Sequence, residues 1–279
     1  MPELRPLRSG YYVWHYVPSI AASIIFFLLF LIATSFHVWK IWKLKSRMML
    51  AFTIGGVFEF IGYVVRASAY NNTDRLMPFC IQSMFLLVGP ILFTASVYMV
   101  LGRIIRKVGA EHHSLIRVNW LTKTFVISDV VTFCIQGGGA GMLVVGSLAN
   151  IGKIIVIAGL ILQVLGFCLF LVTSVVFQMR IGRYPTRESV DPAVQWKKYL
   201  YSLYAVSVLI TVRSLFRVVE YIMGQNGYLM LHEWCLYTFD GVPMLFCMVI
   251  FGIWYPGEVC YIPKVNLAAV ESFELKSFA

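Results

Sequence analysis

The sequence predicts an all-α, polytopic membrane protein: a seven-transmembrane-helix bundle with its N-terminus outside and its C-terminus cytoplasmic. Three observations predict it. Apolar residues make up 59% of the 279 residues and charged residues only 13%, with a mean hydropathy of +0.79, which is the composition of a chain that lives in lipid. Seven apolar stretches reach bilayer length, about 20 residues. Basic residues crowd into alternate loops.

The stretches run Val17–Trp39, Met48–Ser68, Pro78–Leu101, Leu121–Gly146, Lys153–Phe177, Leu200–Met223 and Leu231–Trp254. They divide the chain into an extracellular tail (1–16), a transmembrane domain (17–254) and a flexible cytoplasmic tail (255–279). The first stretch is too long for the core of a cleaved signal peptide and is expected to remain as a span. Pro90 and Pro243 fall inside the third and seventh and are expected to kink them. Gly152, Gly159 and Gly166 recur every seven residues and give the fifth helix a smooth stripe for close packing. Gly137, Gly138, Gly139 and Gly141 can let the fourth helix bend or unwind. They are no dinucleotide fingerprint, because no strand precedes them.

Orientation follows from the loops. Lys40, Lys43, Lys45 and Arg47 fill the first, Arg103, Arg106, Lys107 and Arg117 the third, and Arg180, Arg183, Arg187, Lys197 and Lys198 the fifth. Only Arg5, Arg8, Arg75 and Lys153 lie on the other side, so loops one, three and five belong in the cytoplasm. The N-glycosylation sequon at Asn71, Asn72 and Thr73 falls in a loop assigned to the outside. Tyr11, Tyr12, Trp14 and Tyr16 at one interface, with Trp39, Trp42, Trp120, Trp196 and Trp254 near the other, fit aromatic belts. The same loop clustering accounts for the formal net charge of +10 without nucleic acid. The six cysteines show no paired spacing and read as small apolar core residues.

Ionisable residues at bilayer depth are costly, roughly 2.5–3.5 kcal/mol each on insertion scales, so those present need partners or a use. Arg213, Arg217 and Glu220 share one face of the sixth helix. Glu59 lies mid-way along the second helix with Arg66 toward its outer end, and Gln82 lies near the outer end of the third. Asp129 and Gln136 belong to the fourth helix, Gln163 to the fifth, and His232, Glu233 and Asp240 to the outer half of the seventh. Glu59/Arg66, Asp129/Gln136, Arg213/Glu220 and Glu233/Asp240 are each seven apart, so each pair shares a helical face. Turned inward, these stripes would line one outward-facing pocket; equally, they can be interhelical glue. Arg66, Arg213 and Arg217 oppose Glu59, Glu220, Glu233 and Asp240, leaving one carboxylate in excess, or two with Asp129. A surplus carboxylate holds a proton or meets a cationic ligand.

The segments carrying these residues also resemble a known family. They are Phe58-Glu59-Phe60-Ile61-Gly62-Tyr63-Val64-Val65-Arg66, Gln82-Ser83 with Gly89-Pro90, and Ala95-Ser96-Val97-Tyr98-Met99 followed by Leu101-Gly102-Arg103. Further along are Ser128-Asp129-Val130 with Gln136-Gly137-Gly138-Gly139, and Gly159-Leu160-Ile161-Leu162-Gln163. The last are Val212-Arg213-Ser214-Leu215-Phe216-Arg217-Val218-Val219-Glu220-Tyr221, His232-Glu233-Trp234 and Asp240-Gly241-Val242-Pro243-Met244. Together they resemble the fungal RTA-like proteins, the lipid-translocating exporter family named for resistance to aminocholesterol. The resemblance spans roughly residues 20–257 and leaves out the tails. It implies a multi-pass protein of the plasma membrane or endomembranes, with export of sphingoid long-chain bases, resistance to sterol-like amines and, in one branch, porphyrin handling.

The expected function is therefore translocation of amphiphilic lipids, sphingoid bases or sterol-like and toxic amphiphiles, through an outward-facing polar cavity. Its expected site residues are Glu59, Arg66, Gln82, Asp129, Gln136, Gln163, Arg213, Arg217, Glu220, Glu233 and Asp240. Partners are membrane lipids or an amphiphilic small molecule. A lipid-sensing heptahelical receptor is the first alternative, although the third helix ends Leu101-Gly102-Arg103 and the seventh lacks Asn-Pro-x-x-Tyr. An intramembrane lipid hydrolase is the second, but only His232 reaches the region, too few for the usual zinc set. No Walker A pattern occurs, and no cofactor or metal is expected.

Overall fold

The computed structural model describes residues 18–71, 76–143, 148–190, 195–224 and 227–260. Seven helices among them are long and apolar enough to cross a membrane: α1 (Ile20–Leu44), α2 (Leu50–Ser68), α3 (Leu76–Lys107), α4 (Val118–Leu143), α5 (Ala149–Arg183) and α6 (Trp196–Met223), then α7 (Glu233–Glu258). No strand occurs among the described residues. The sequon residues Asn72 and Thr73, the N-terminal aromatic cluster and the chain after Cys260 lie outside the described residues.

Short connections return the chain after each helix, so neighbours in sequence pack side by side and α7 closes against α1 and α6. α3 is the most enclosed span and touches α2, α4 and α6. Where α1 begins is called the upper end, and where it finishes the lower end. Isoleucine, leucine and valine cover the outer surface, as lipid contact requires.

Several helices outrun their apolar stretches. α3 continues past Leu101 to Lys107, and α5 past Phe177 to Arg183. Hydropathy ends where the hydrocarbon does, whereas backbone hydrogen bonding does not. The basic residues of these last turns (Arg106, Lys107, Arg180, Arg183) suit a helix C-terminus. α5 packs on α4 through its glycines: a Cβ at Gly159 would lie 2.9 Å from Gln136 Cγ, and one at Gly139 would lie 2.9 Å from the Gly152 carbonyl. α4 stays helical through Gly137, Gly138, Gly139 and Gly141, so of the two alternatives, bending or unwinding, it does not unwind. Trp196 is buried and donates to the Ser189 carbonyl, unlike the exposed Trp39, Trp42, Trp120 and Trp254. Of the cysteines, Cys235 and Cys247 are buried, but Cys80, Cys134 and Cys168 face outward rather than into the core.

The two in-span prolines act differently. Pro90 sits within a continuous α3. On α7, a π-helical turn (Tyr237–Gly241) joins Glu233–Leu236 to Val242–Ile253, with Pro243 opening the latter. Pro243 has no N–H to offer the carbonyl four residues back, and the wider turn absorbs that defect. Below this level the core is aromatic. Phe52 stacks on Phe93 at 4.4 Å and lies 5.2 Å from Phe251, all three fully buried. The beginning of the expected tail belongs to this core: Tyr255 is fully buried and Glu258 accepts a bond from Tyr199 Oη at 3.1 Å.

Candidate functional site

The upper half of the bundle carries two linked polar networks. The first joins α1, α2 and α7. Glu233 accepts the Ser19 N–H on both carboxylate oxygens, at 3.0 and 2.9 Å, where α1 begins. A carboxylate is well placed there, against the free N–H groups and positive dipole end of a helix. Arg66 donates to Glu233 Oε1 through Nη2 at 2.9 Å and to Tyr237 Oη through Nε at 3.0 Å. Its guanidinium also lies over the Tyr237 ring, 5.3 Å from the centroid. Tyr237 Oη meets Ser23 Oγ at 2.9 Å and Glu233 Oε1 at 3.1 Å. These groups satisfy one another, and they pin three helices together.

The second network joins α3, α6 and α7. Asp240 is the hub: Arg217 reaches its Oδ2 through Nη2 at 2.7 Å and its Oδ1 through Nε at 3.3 Å. Arg213 Nε lies 2.7 Å from Asp240 Oδ1, an ionic contact, although its N–H is not aimed at that oxygen. Arg217 Nη1 takes Glu220 Oε2 at 3.0 Å, one turn up the same helix. Arg213 Nη2 donates to the backbone carbonyl of Leu86 at 2.7 Å. That acceptor exists because of Pro90: residue 90 has no N–H to close the helical bond to residue 86. A guanidinium on α6 takes the place of the missing amide.

Glu59 approaches this network from α2 and is almost wholly buried. It lies on the α3 backbone, where a Cβ at Gly89 would come within 2.8 Å of its Oε1. The charged groups within electrostatic reach of it are Asp240, Arg213 and Arg217. Among the described residues, Glu59 Oε1 has no hydrogen-bond partner, and neither do the buried Tyr63 Oη one turn above it or Gln82 Oε1. Gln82 stands one helical turn above Leu86 on the same face of α3. Tyr63 stacks on Tyr237 with centroids 5.9 Å apart and so links the two networks. An unsatisfied buried polar group costs about 1–3 kcal/mol, so each of these oxygens is a position that a donor would complete.

Three expected site residues lie elsewhere. Asp129 accepts from Thr94 Oγ1 and Tyr98 Oη, each at 2.9 Å, between α3 and α4. Gln136 donates to Gln163 Oε1 at 2.9 Å between α4 and α5. The seven-residue stripes therefore do not all meet: α2, α6 and α7 converge, while the polar groups of α4 and α5 pair with each other or with α3. His232 stacks on Tyr228 at 3.8 Å and bonds its carbonyl, and its side chain does not cap the helix that starts at Glu233. Sequence reading missed Ser19, Ser23, Tyr63, Tyr237 and the Leu86 carbonyl. For the last, Pro90 was the available signal.

Residues 52–262 match the family model described as RTA1 like protein. "Protein RTA1" of Saccharomyces cerevisiae is 32% identical, over 89% of this chain and 86% of that protein. "Protoporphyrin uptake protein 1" of the same yeast is 31% identical, over 88% and 92%. "Sphingoid long-chain base transporter RSB1" of a further strain of that yeast is 24% identical, over 86% and 72%. No solved structure matches the chain.

Proposed function

Because the chain belongs to the RTA1-like family, we propose that it translocates amphiphilic lipids bearing a cationic head, with the α2–α3–α6–α7 network as the head-group site. Sphingoid long-chain bases and sterol-like amines are the substrates of that description. The orientation is the one favoured by the basic residues, with the upper end outside, and the chain is a carrier rather than a receptor or a hydrolase.

One observation carries the choice of head group: among the described residues, the unpartnered buried atoms of Glu59, Gln82 and Tyr63 are oxygens, and the one unpartnered nitrogen of the network, Arg213 Nε, already lies 2.7 Å from Asp240 Oδ1. As a carboxylate Glu59 offers acceptors only, as does Gln82 Oε1, which suits an ammonium donor, while the Tyr63 hydroxyl can also donate to an alcohol. A carboxylate-bearing amphiphile is served worse. Arg217 already spends all three guanidinium nitrogens on Asp240 and Glu220, and Arg213 Nη2 is held by the Leu86 carbonyl. The relative named for protoporphyrin uptake makes that comparison necessary.

The test is reconstitution of purified protein in liposomes with a fluorescent sphingoid base, measuring transbilayer movement against protein-free vesicles. Wild type accelerates movement, and Arg217→Ala, which unbalances the hub, reduces it at least tenfold per folded molecule. Equal rates with and without protein would end this reading.

A further inference from the structure

Charge balance in the network reaches beyond head-group binding to how movement is driven. Among the described residues, α2, α6 and α7 bring three guanidinium groups (Arg66, Arg213, Arg217) against four carboxylates (Glu59, Glu220, Glu233, Asp240). Three of the carboxylates are in direct contact with arginine: Glu233 with Arg66, Asp240 with Arg213 and Arg217, and Glu220 with Arg217. Among the described residues Glu59 makes no ion pair, and its Oε1 has no hydrogen-bond partner. An ionised carboxylate without a partner at this depth carries a desolvation cost of several kcal/mol.

The surroundings of Glu59 are set on every side. α6 presents Arg213 and Arg217, and α7 presents Asp240 and the Cys247 thiol. α2 itself presents the Tyr63 hydroxyl. α3 contributes the backbone at Gly89, and α1 faces this stretch of α2 with Phe30 and Thr34. The two arginines are already neutralised by Asp240 and Glu220, so neither is left over for Glu59.

Resting on the translocation reading, we propose that Glu59 makes the protein an electroneutral exchanger of one monovalent amphiphilic cation for one proton. With the site empty, Glu59 is the carboxylic acid and the network holds three positive and three negative groups. When a cation arrives, the O–H bond of Glu59 breaks, the proton leaves to the aqueous phase, and the carboxylate pairs with the ammonium. The ammonium's own bonds are unchanged, and the network is again neutral. When the cation departs on the other side, Glu59 takes a proton from that side. Each cycle moves one cation one way and one proton the other.

The experiment uses the full chain in sealed liposomes with a fluorescent long-chain trimethylammonium probe, which cannot lose a proton and so cannot cross as a neutral amine. A one-unit pH gradient, acid on the accumulating side, should drive accumulation of roughly tenfold. A potassium–valinomycin voltage should add nothing. Glu59→Gln should abolish the pH-driven accumulation, while Glu59→Asp, keeping the acid, should retain it. Accumulation that follows voltage instead of pH, or that survives Glu59→Gln, overturns the exchange and leaves translocation standing. A probe that moves in no gradient also overturns it. If the labelled sphingoid base is then unmoved too, the translocation reading falls with it.

Discussion

Replacing Asp240 by asparagine removes the carboxylate that two buried guanidinium groups share. Arg213 Nε and Arg217 Nη2 each lose an anionic oxygen at 2.7 Å, and Arg217 Nε loses one at 3.3 Å. Breaking a buried ion pair from one side costs about 3–5 kcal/mol, because the partner is left as an uncompensated charge. Glu59 softens that cost. It lies within reach of both arginines, and by giving up its proton it restores three charges against three. Asp240→Asn should therefore fall at the lower end of that range. Glu59→Gln alone removes no bond from Oε1 and should cost no more than about 1 kcal/mol. The double variant loses the hub and its substitute together, so it should be less stable than the sum of the singles by about 0.5–3 kcal/mol. Unfolding free energies by steric trapping in bicelles give all four corners of this cycle. Additive singles, or a Glu59→Gln cost matching that of Asp240→Asn, would refute the reasoning by making Glu59 a standing partner of the arginines.

The same geometry has consequences at other positions. Pro90→Ala restores an amide to the Leu86 carbonyl, in competition with Arg213. The helix gains up to about 3 kcal/mol and the charge-assisted bond loses about 1.5–3 kcal/mol. Stability measured in bicelles should thus change little while lipid translocation in liposomes slows. Gly89→Ala puts a Cβ 2.8 Å from Glu59 Oε1; overpacking should cost about 1–3 kcal/mol, and translocation should drop further than stability does. Tyr98→Phe takes one of two hydroxyl donors from the buried Asp129 and should cost about 1.5–3 kcal/mol while translocation per folded molecule stays unchanged. A tag placed after Ala279 should be cut by protease only from the cytosolic side of sealed vesicles, and cleavage from the outside would reverse the orientation.

The seven spans were legible because a helix in lipid must be apolar for about 20 residues, whatever it packs against. Ionisable residues were legible for the complementary reason: they are rare at depth, so Arg213, Arg217 and Asp240 stand out in the sequence. Their pairing was not legible. Asp129 and Asp240 look alike in sequence, yet one meets hydroxyls on α3 and the other meets guanidinium groups on α6. That difference is set by the neighbours of each helix, which periodicity does not encode. Tyr63 and Tyr237 were lost among aromatics, since a buried tyrosine and a lipid-facing one share a spacing pattern. The Glu233/Asp240 pair misled for a local reason. The π turn at Tyr237–Gly241 takes more residues per revolution, so seven residues no longer return to the same direction, and the two acids serve different networks.

The seat of the Arg213 guanidinium is built from main chain, and this decouples the identity of the residue that binds from that of the residue that matters. Position 86 supplies the oxygen and would supply it as leucine, isoleucine or methionine alike. Position 90 acts through the N–H it lacks, which decides whether that oxygen is on offer, so among relatives variation should be tolerated at the former and purged at the latter.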